Sequence, residues 1–308
     1  MFGDLLQNDN DRFFKQLYKD FQRSEKDLVE CIGIIRKWSE AQKHFPEKPS
    51  DGLLRFVILY NKFSIETAKQ KLDTFYTIRS LMPEFFKTHP LTEEWILQRK
   101  IYYLVPLPKV DDENIRIIYQ KTNPEYKDAK YFNFEKNLVL FWHVMQYLVE
   151  NDLCYRFHFI CDCSGFTLGH AAKMNPLSLK KSQIILEKVF SNRMASLHMV
   201  NLPSILESFI NNVFKPLLNA KLQDRLQVSS SADNLFKIFG KKRLPKDVGG
   251  EQKPLSQLSD MLTREYKKHE VRFFQLQNLT VNESLRPAKL QNDELLGYYG
   301  SFKKLDID

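Results

Sequence analysis

The stretch Tyr155-Arg-Phe-His-Phe-Ile-Cys-Asp-Cys163 has an alternating pattern that predicts a β-strand ending at the turn Ser164-Gly165. A helical pattern follows over residues 178–190, a second strand over 196–201, and an apolar helix over 203–218. Strand, helix and strand in this order form a parallel crossover unit, whose sheet must be covered by helices. The stretch therefore predicts an α/β fold with a mainly parallel sheet.

The helix over residues 203–218 carries a wide apolar stripe, so it must cover an apolar surface. The residues of this stripe recur at intervals of three and four positions: Ile205, Leu206, Phe209, Ile210, Val213, Phe214 and Leu217. The pattern leaves two interpretations open. The helix is either an ordinary core helix on a sheet or a lid over a lipid cavity.

The strand at 155–163 has one distinctly apolar face, because successive side chains of a strand point to opposite sides. The aromatic and thiol side chains fall on that face: Tyr155, Phe157, Phe159, Cys161 and Cys163. Such a face either packs on helices in a solid core or forms the wall of a cavity for an apolar ligand. Periodicity alone does not separate these two uses.

The first 88 residues carry only helical signals, with Ser24, Asp51 and Ser64 as candidate N-caps. Strand signals begin after residue 100, and a polar stretch ends the chain. We expect three parts: an N-terminal helical domain over 1–88, a sandwich of helices and sheet over 89–254, and an amphipathic segment with a loosely held tail over 255–308.

Length and charge limit the classes of function. The 308 residues carry 46 Lys and Arg against 38 Asp and Glu, and the resulting charge of +8 favours an anionic partner such as a membrane surface or a polyphosphate. No apolar run reaches the roughly 18 residues of a membrane span, and the start has no secretory pattern. Four cysteines are too few for a disulfide scaffold and are typical of a reducing cytosol. The densest basic run, Lys241-Lys-Arg243, has no accompanying nucleic-acid-binding signature.

Motifs for catalysis do not emerge. Cys161-Asp-Cys163 lacks a second ligand pair at a metal-binding interval, so we expect no metal. Asp162 stands where a nucleophile elbow around Ser164 requires glycine. The sequence contains no glycine-rich nucleotide loop, so we expect neither a cofactor nor enzymatic activity.

The order of several landmarks resembles the CRAL-TRIO lipid-binding family, in particular its tocopherol- and retinaldehyde-binding subgroup. The landmarks are Asp162-Cys-Ser-Gly-Phe-Thr-Leu-Gly-His170, His198-Met-Val-Asn201, Phe214-Lys-Pro-Leu217 and Leu244-Pro-Lys-Asp-Val-Gly-Gly-Glu251. The segment around Leu53-Leu-Arg-Phe56 and Lys62-Phe63 resembles the helical N-terminal domain of the family. The likeness extends over most of the chain.

This resemblance implies an αβα sandwich that encloses a lipid cavity, with the helix after Pro203 as a gate. By position, the cavity would be lined by Leu140, Phe141, Val144, Phe157, Cys161, Met174, Ile185 and Leu186. The inner face of the gate would consist of Leu206, Ile210 and Val213.

The resemblance also implies a basic cleft for phosphoinositide headgroups. Arg193, Lys221 and Arg225 occupy matching positions, whereas Ala195 stands where the family has an arginine. The alternative for these cations is ordinary solvated surface.

Two hypotheses from different classes result. The first is a monomeric, cytoplasmic carrier that binds a small hydrophobic lipid, such as a tocopherol or a retinoid, and releases it during transient contact with membranes, aided by phosphoinositides. The second is a scaffold of the same family that binds a protein partner, with its pocket filled by its own aromatic side chains. An enzymatic interpretation would need a nucleophile or a metal that the sequence does not offer.

Overall fold

The computed structural model describes residues 5–191 and 193–287. The part of the predicted tail beyond residue 287 lies outside the described residues. Among the described residues, we find no helix that combines the length and the apolar character needed to cross a bilayer.

The chain begins with a helical segment, as predicted. Its helices are α1 (Asn10–Phe21), α2 (Glu25–Glu40), α3 (Asp51–Tyr60), α4 (Ile65–Leu81), α5 (Pro83–Phe86) and α6 (Glu93–Ile101). Ser24 caps α2 in a reciprocal pair with Asp27, as its position indicated. The cap of α3 is Ser50 and not Asp51, because the Ser50 hydroxyl accepts the Leu53 N–H at 3.1 Å. Ser64 stands at the N-cap of α4 but accepts no backbone N–H there.

Five strands form one mainly parallel sheet, which confirms the predicted α/β class. They are β1 (Tyr102–Pro106), β2 (Arg116–Thr122), β3 (Phe157–Asp162), β4 (Met194–Val200) and β5 (Leu226–Val228). Their order in the sheet follows the chain, with β1 antiparallel to β2 and every other neighbouring pair parallel.

The parallel strands are joined by helical crossovers. Helix α7 (Phe134–Asn151) joins β2 to β3, and α8 (Leu168–Ala171) with α9 (Pro176–Lys188) joins β3 to β4. Crossovers of this kind are right-handed, and the strands follow one another in sheet order, so the connecting helices all pack on the same face. We call it the crossover face.

The connection from β4 to β5 is the predicted apolar helix, but it is not one regular α-helix. Residues 203–218 contain a 3₁₀ turn (Ser204–Leu206), α10 (Glu207–Phe209), a π-helical turn (Ile210–Phe214) and α11 (Lys215–Leu217). Helix α12 (Ala220–Arg225) then leads into β5. We refer to residues 203–218 as the cover segment.

The opposite face of the sheet is covered by α13 (Asp233–Phe239). The Phe239 ring lies 4.9 Å from the His158 ring and 5.3 Å from the His198 ring. Successive side chains of a strand point to opposite faces of the sheet, so His158 of β3 and His198 of β4 lie on the face opposite the crossover face. The sheet is therefore packed on both sides, as in an αβα sandwich.

The C-terminal helices tie the ends of the chain together. Helix α14 (Leu255–Lys268) packs on β1, and α15 (Glu270–Asn278) follows it. Arg272 of α15 binds Glu47, which precedes α3, and Glu150 of α7, with N–O distances of 2.6 and 2.8 Å. One continuous apolar core joins the N-terminal helices to the sheet.

Candidate functional site

A cavity of about 170 Å3 lies between the sheet and the helices of the crossover face. The sheet side is formed by Gln120, Phe159, Cys161, Cys163, Leu197 and Met199. Helices α7 and α9 contribute Asn137, Leu138, Phe141, Trp142, Leu179, Ser182, Gln183 and Leu186. The cover segment closes it with Phe214 and Leu218, and α12 adds Leu222. None of the described residues that line this cavity carries a charged side chain.

The residues predicted to line the cavity divide into two groups of equal size. Phe141, Cys161, Met174 and Leu186 lie in its wall. The other four are buried in the core but are not part of the wall: Leu140, Val144, Phe157 and Ile185. On α7 this offset has a simple cause. The helix is buried on nearly every side, so no polar stripe indicated which of its faces meets the sheet.

The cover segment departs from its predicted inner face at Val213. Leu206 and Ile210 are fully buried, in a small apolar cluster with Cys163 and Met199. Val213 is 47% exposed, and Phe214 lies in the cavity wall in its place. The π turn explains the change, because i→i+5 bonding advances the chain by a smaller angle per residue than an α-helix does. The side chains after Ile210 are therefore rotated relative to an α-helical stripe.

Two residues of the cavity wall each carry a buried hydrogen-bond donor without a partner. The Asn137 amide nitrogen Nδ2 and the Trp142 indole nitrogen Nε1 are both buried and unpaired. Buried donors almost always find a partner in proteins, so each unpaired one calls for an explanation. Sequence reasoning missed Asn137, although an asparagine inside the apolar pattern of α7 was the signal that could have identified it.

The remaining polar groups of the wall are neutral. The amide of Gln183 accepts the Asn219 N–H at 2.8 Å and donates to the Leu217 carbonyl at 2.9 Å, so it holds the end of the cover segment to α9. A hydrogen bond to Cys161, together with burial, raises the pKa of the Cys163 thiol well above its usual value. The Cys163 thiol is therefore protonated and unreactive at neutral pH.

Asp162 fixes the edge of the sheet beside the cavity. Its carboxylate accepts hydrogen bonds from Lys121 at 2.8 Å, from Asn201 at 2.9 Å and from the Ser164 N–H at 3.0 Å. Burial by itself would raise the Asp162 pKa, but the bonds from Asn201, Lys121 and Ser164 outweigh it and hold the pKa below its usual value. Because Asn201 lies two residues before the cover segment, this carboxylate also positions the start of that segment.

A basic cleft of about 550 Å3 lies beside the first residues of β4. It brings together the three predicted cations Arg193, Lys221 and Arg225, and it adds Lys62 and Arg156. We call it the β4 cleft. The Lys62 and Lys221 side chains are exposed, so both ammonium groups can meet a ligand.

The arginines of the β4 cleft are already engaged in the fold. Arg193 donates to the Tyr60 carbonyl at 2.7 Å, and Arg225 donates to the Met194 carbonyl at 2.6 Å. The bond to the Met194 carbonyl fixes the Arg225 guanidinium. The bond to the neutral Tyr60 carbonyl fixes the Arg193 guanidinium without neutralising its positive charge. Arg156 instead pairs with Asp20 at 3.1 Å and with Glu113 at 3.5 Å. The charge available to a ligand therefore comes chiefly from Lys62, Lys221 and Arg193.

Two family models match the chain. The model described as "CRAL/TRIO domain" matches residues 100–250, which include all five strands. The model described as "Pinta-like, UBA domain" matches residues 24–96, within the helical segment.

Curated relatives and a solved structure give further similarities. The human and orangutan (Pongo abelii) proteins named "Alpha-tocopherol transfer protein-like" are each 25% identical to this chain over 202 residues. The match covers 64% of this chain and only 57% of those relatives. The mouse protein of the same name matches to the same extent. The crystal structure of Sfh5 aligns with 86% of this chain and 100% of its own, at 12% identity and a TM-score of 0.48.

The Asp162 contacts predict a pH dependence of stability. Since its pKa is lower in the folded chain, the stabilisation is complete above the unfolded pKa of about 4 and is lost as the pH falls through the folded value. We expect Asp162→Asn to lower the free energy of unfolding at pH 7 by about 1–3 kcal/mol. Urea unfolding at pH 3 should show a smaller difference in the free energy of unfolding between the variant and the wild type.

The matched control is Asp224→Asn, which changes an exposed carboxylate. It should follow the wild-type curve at both pH values. If Asp162→Asn lowered the free energy of unfolding by the same amount at pH 7 and at pH 3, the ionised carboxylate would not be the source of the stabilisation.

Proposed function

Because residues 100–250 of this chain belong to the CRAL/TRIO domain family, we propose that the protein binds one small hydrophobic lipid in the cavity and transfers it between membranes. In this proposal it is a monomeric carrier of the cytoplasm that contacts membranes transiently. The observation that carries the proposal is an uncharged, mainly apolar cavity between the sheet and the helices of the crossover face, bordered by the cover segment.

The volume of the cavity favours a carrier over a scaffold filled by its own side chains. An engineered apolar cavity of about 150 Å3 in another protein is large enough to bind benzene. The cavity here is about 170 Å3. A ring-sized apolar group therefore fits without any movement of the chain, and a longer tail would require the cover segment to shift.

The two unpaired donors indicate the polarity of the cargo. A lipid with a hydroxyl, ether or carbonyl oxygen could accept a hydrogen bond from Asn137 or from Trp142 after a small side-chain rotation that turns the donor towards the cavity. A pure hydrocarbon would leave both donors unpaired, at a cost of about 1–3 kcal/mol for each. Tocopherols and retinoids both combine one or two such oxygens with a large apolar body. The names of the curated relatives point in the same direction.

Release of the cargo would occur at a bilayer. Burying apolar surface contributes about 25 cal/mol per Å2, so a lipid that leaves for water loses all of this stabilisation. The cover segment already presents Ile205, Val213 and Leu217 to the outside, with exposures of 65%, 47% and 39%. Its short 3₁₀ and π turns are less regular than one α-helix, which suits a segment that moves.

Phosphoinositides would assist this release through the β4 cleft. Lys221 and Arg225 belong to α12, which follows the cover segment almost directly. A headgroup bound there could therefore influence the position of the segment. Arg193 and Lys62 supply charge from the other side of the cleft, which supports binding of an anion with several phosphates.

The carrier proposal predicts a lipid that copurifies with the chain. Organic extraction and mass spectrometry of the purified protein should yield one molecule of a single lipid class per chain. Leu186→Trp places a larger side chain in the cavity wall and should abolish both the bound lipid and the transfer of labelled tocopherol or retinol between vesicles.

The surface variant Leu97→Trp is the control, since Leu97 is 47% exposed on α6. It should retain lipid and transfer. Folded wild-type protein that contains no lipid and moves none between vesicles would favour the scaffold interpretation.

A second prediction concerns the unpaired amide. Asn137→Leu keeps a similar volume but removes the donor, and it should weaken binding of a hydroxyl-bearing cargo by about 3- to 10-fold. Fluorescence titration with a tocopherol analogue measures this loss. The matched ligand is the same analogue with its oxygen replaced by hydrogen, for which the variant should bind at least as well as wild type. Equal losses for the two ligands would mean that Asn137 acts only through packing.

The β4 cleft gives a third prediction. The double variant Lys62→Glu and Lys221→Glu should reduce sedimentation with vesicles that contain phosphatidylinositol bisphosphate, since each basic residue near an anionic surface contributes about 1 kcal/mol. Both side chains are exposed, so the variant should fold normally. The double variant Lys180→Glu and Lys267→Glu makes the same change of charge elsewhere on the surface. Equal binding by the two double variants would remove the cleft from the mechanism.

A further inference from the structure

A second basic cleft, of about 640 Å3, lies away from both sites described above. Its walls are the N-terminal residues 7–9, the start of the loop between β1 and β2, and the turn after α13. We call it the α13 cleft. It contains the only basic run that the sequence analysis singled out. Its cations are Arg12, Lys109, Lys241, Lys242 and Arg243.

The positive charge of the α13 cleft comes mainly from its three lysines. Among the described residues, no carboxylate lies within ion-pair distance of Lys109, Lys241 or Lys242, and all three side chains are exposed. The acidic residues of the lining are Asp9 and Glu251. Asp9 lies 3.9 Å from Arg12, so it offsets a different cation. The three lysines therefore have no ion-pair partner among the described residues, and the Lys241 ammonium lies 5.7 Å from the centre of the Phe236 ring.

The backbone that carries two of these lysines is held in place. The Lys241 carbonyl accepts the Glu251 N–H at 2.9 Å, and the Lys242 carbonyl accepts the side-chain amide of Gln252. Gly250 permits this arrangement, because a Cβ at that position would lie 2.1 Å from the Leu244 carbonyl oxygen. The cations thus project from a fixed turn, which reduces the entropy that a ligand must overcome.

Arg243 joins this turn to the loop between β1 and β2. Its guanidinium donates to the Val110 carbonyl and to the Phe239 carbonyl, both at 3.0 Å, and it binds the Asp112 carboxylate. The next residue, Glu113, pairs with Arg156 of the β4 cleft. Residues 109–113 therefore separate two basic clefts and contact cations of both.

We propose that the α13 cleft binds a phosphate-bearing anion. Lysine ammonium groups act on phosphate as point charges, and three of them around one cleft match a ligand with more than one phosphate group. The ligand is either a lipid headgroup in a membrane or a free polyphosphate, and both present the same chemistry to the cleft. The site is separate from the lipid cavity, so it does not depend on whether the protein carries a cargo.

The test uses the full chain with a double charge reversal, Lys241→Glu and Lys242→Glu. Titration calorimetry with inositol trisphosphate and with inorganic phosphate measures binding of the free anions. Sedimentation with phosphatidylcholine vesicles containing phosphatidylinositol bisphosphate measures headgroup binding. Each basic residue near an anionic surface contributes about a factor of five, so we expect vesicle binding to weaken by about 25-fold or more.

Two comparison variants make the result specific. The double variant Lys180→Glu and Lys267→Glu gives the same net charge from exposed positions outside both clefts, and the variant Lys62→Glu and Lys221→Glu removes charge from the β4 cleft. A loss in the calorimetric titration shows that an anion in solution is sufficient as ligand, and a loss confined to vesicles identifies a headgroup that is bound only within a membrane. The proposal is overturned if the 241 and 242 reversal binds every probe as well as the 180 and 267 variant does.

The neutral double variant Lys241→Gln and Lys242→Gln is the control for an effect of charge reversal on the fold, because it removes the two positive charges without adding negative ones. It should show a smaller loss in the same direction, with an unchanged circular dichroism spectrum. The proposal also fails if this variant retains wild-type affinity for every probe that the wild type binds. Since none of these measurements involves a lipid cargo, their failure is distinguishable from failure of the carrier proposal.

Discussion

The ionised carboxylate of Asp162 holds together the parts of the molecule on which the cavity depends. Lys121 at the end of β2, Asn201 at the end of β4 and the turn at Ser164 all donate to it. A buried carboxylate is costly unless its charge is matched by donors, and here the donors come from three consecutive segments of the fold. The same interaction therefore holds the C-terminal ends of β2, β3 and β4 together and fixes the position at which the cover segment starts.

The cavity follows from the order of the strands. Because neighbouring strands are consecutive in the chain, the right-handed crossovers place α7, α9 and the cover segment on one face, where three helical elements meet over the sheet. Straight helices on a twisted sheet do not fill that space completely, and the large side chains of α7 and β3 leave a void between them. The cover segment is the least regular of these elements, because residues 204–217 combine 3₁₀, α and π turns.

Much of the architecture could be predicted from periodicity and capping alone. The alternating pattern of residues 155–163 indicated β3. The helical pattern over residues 178–190 and the apolar stripe after Pro203 indicated helical elements close to their observed positions. Local patterns succeed here because each reports which side chains avoid water, and that requirement acts within a few residues of the chain.

Only the tertiary structure decided which face of each element lines the cavity and which cations share a cleft. Helix α7 is apolar on nearly every side, so its sequence is compatible with several orientations, and packing selected the one that places Asn137 and Trp142 in the wall. A single π turn rotated Val213 outward, although the spacing of its neighbours indicated the reverse. The two basic clefts combine residues more than a hundred positions apart, as Lys62 does with Arg193. Cations that are distant in the sequence come together only when the chain folds, so a local sequence pattern cannot indicate which of them share a cleft.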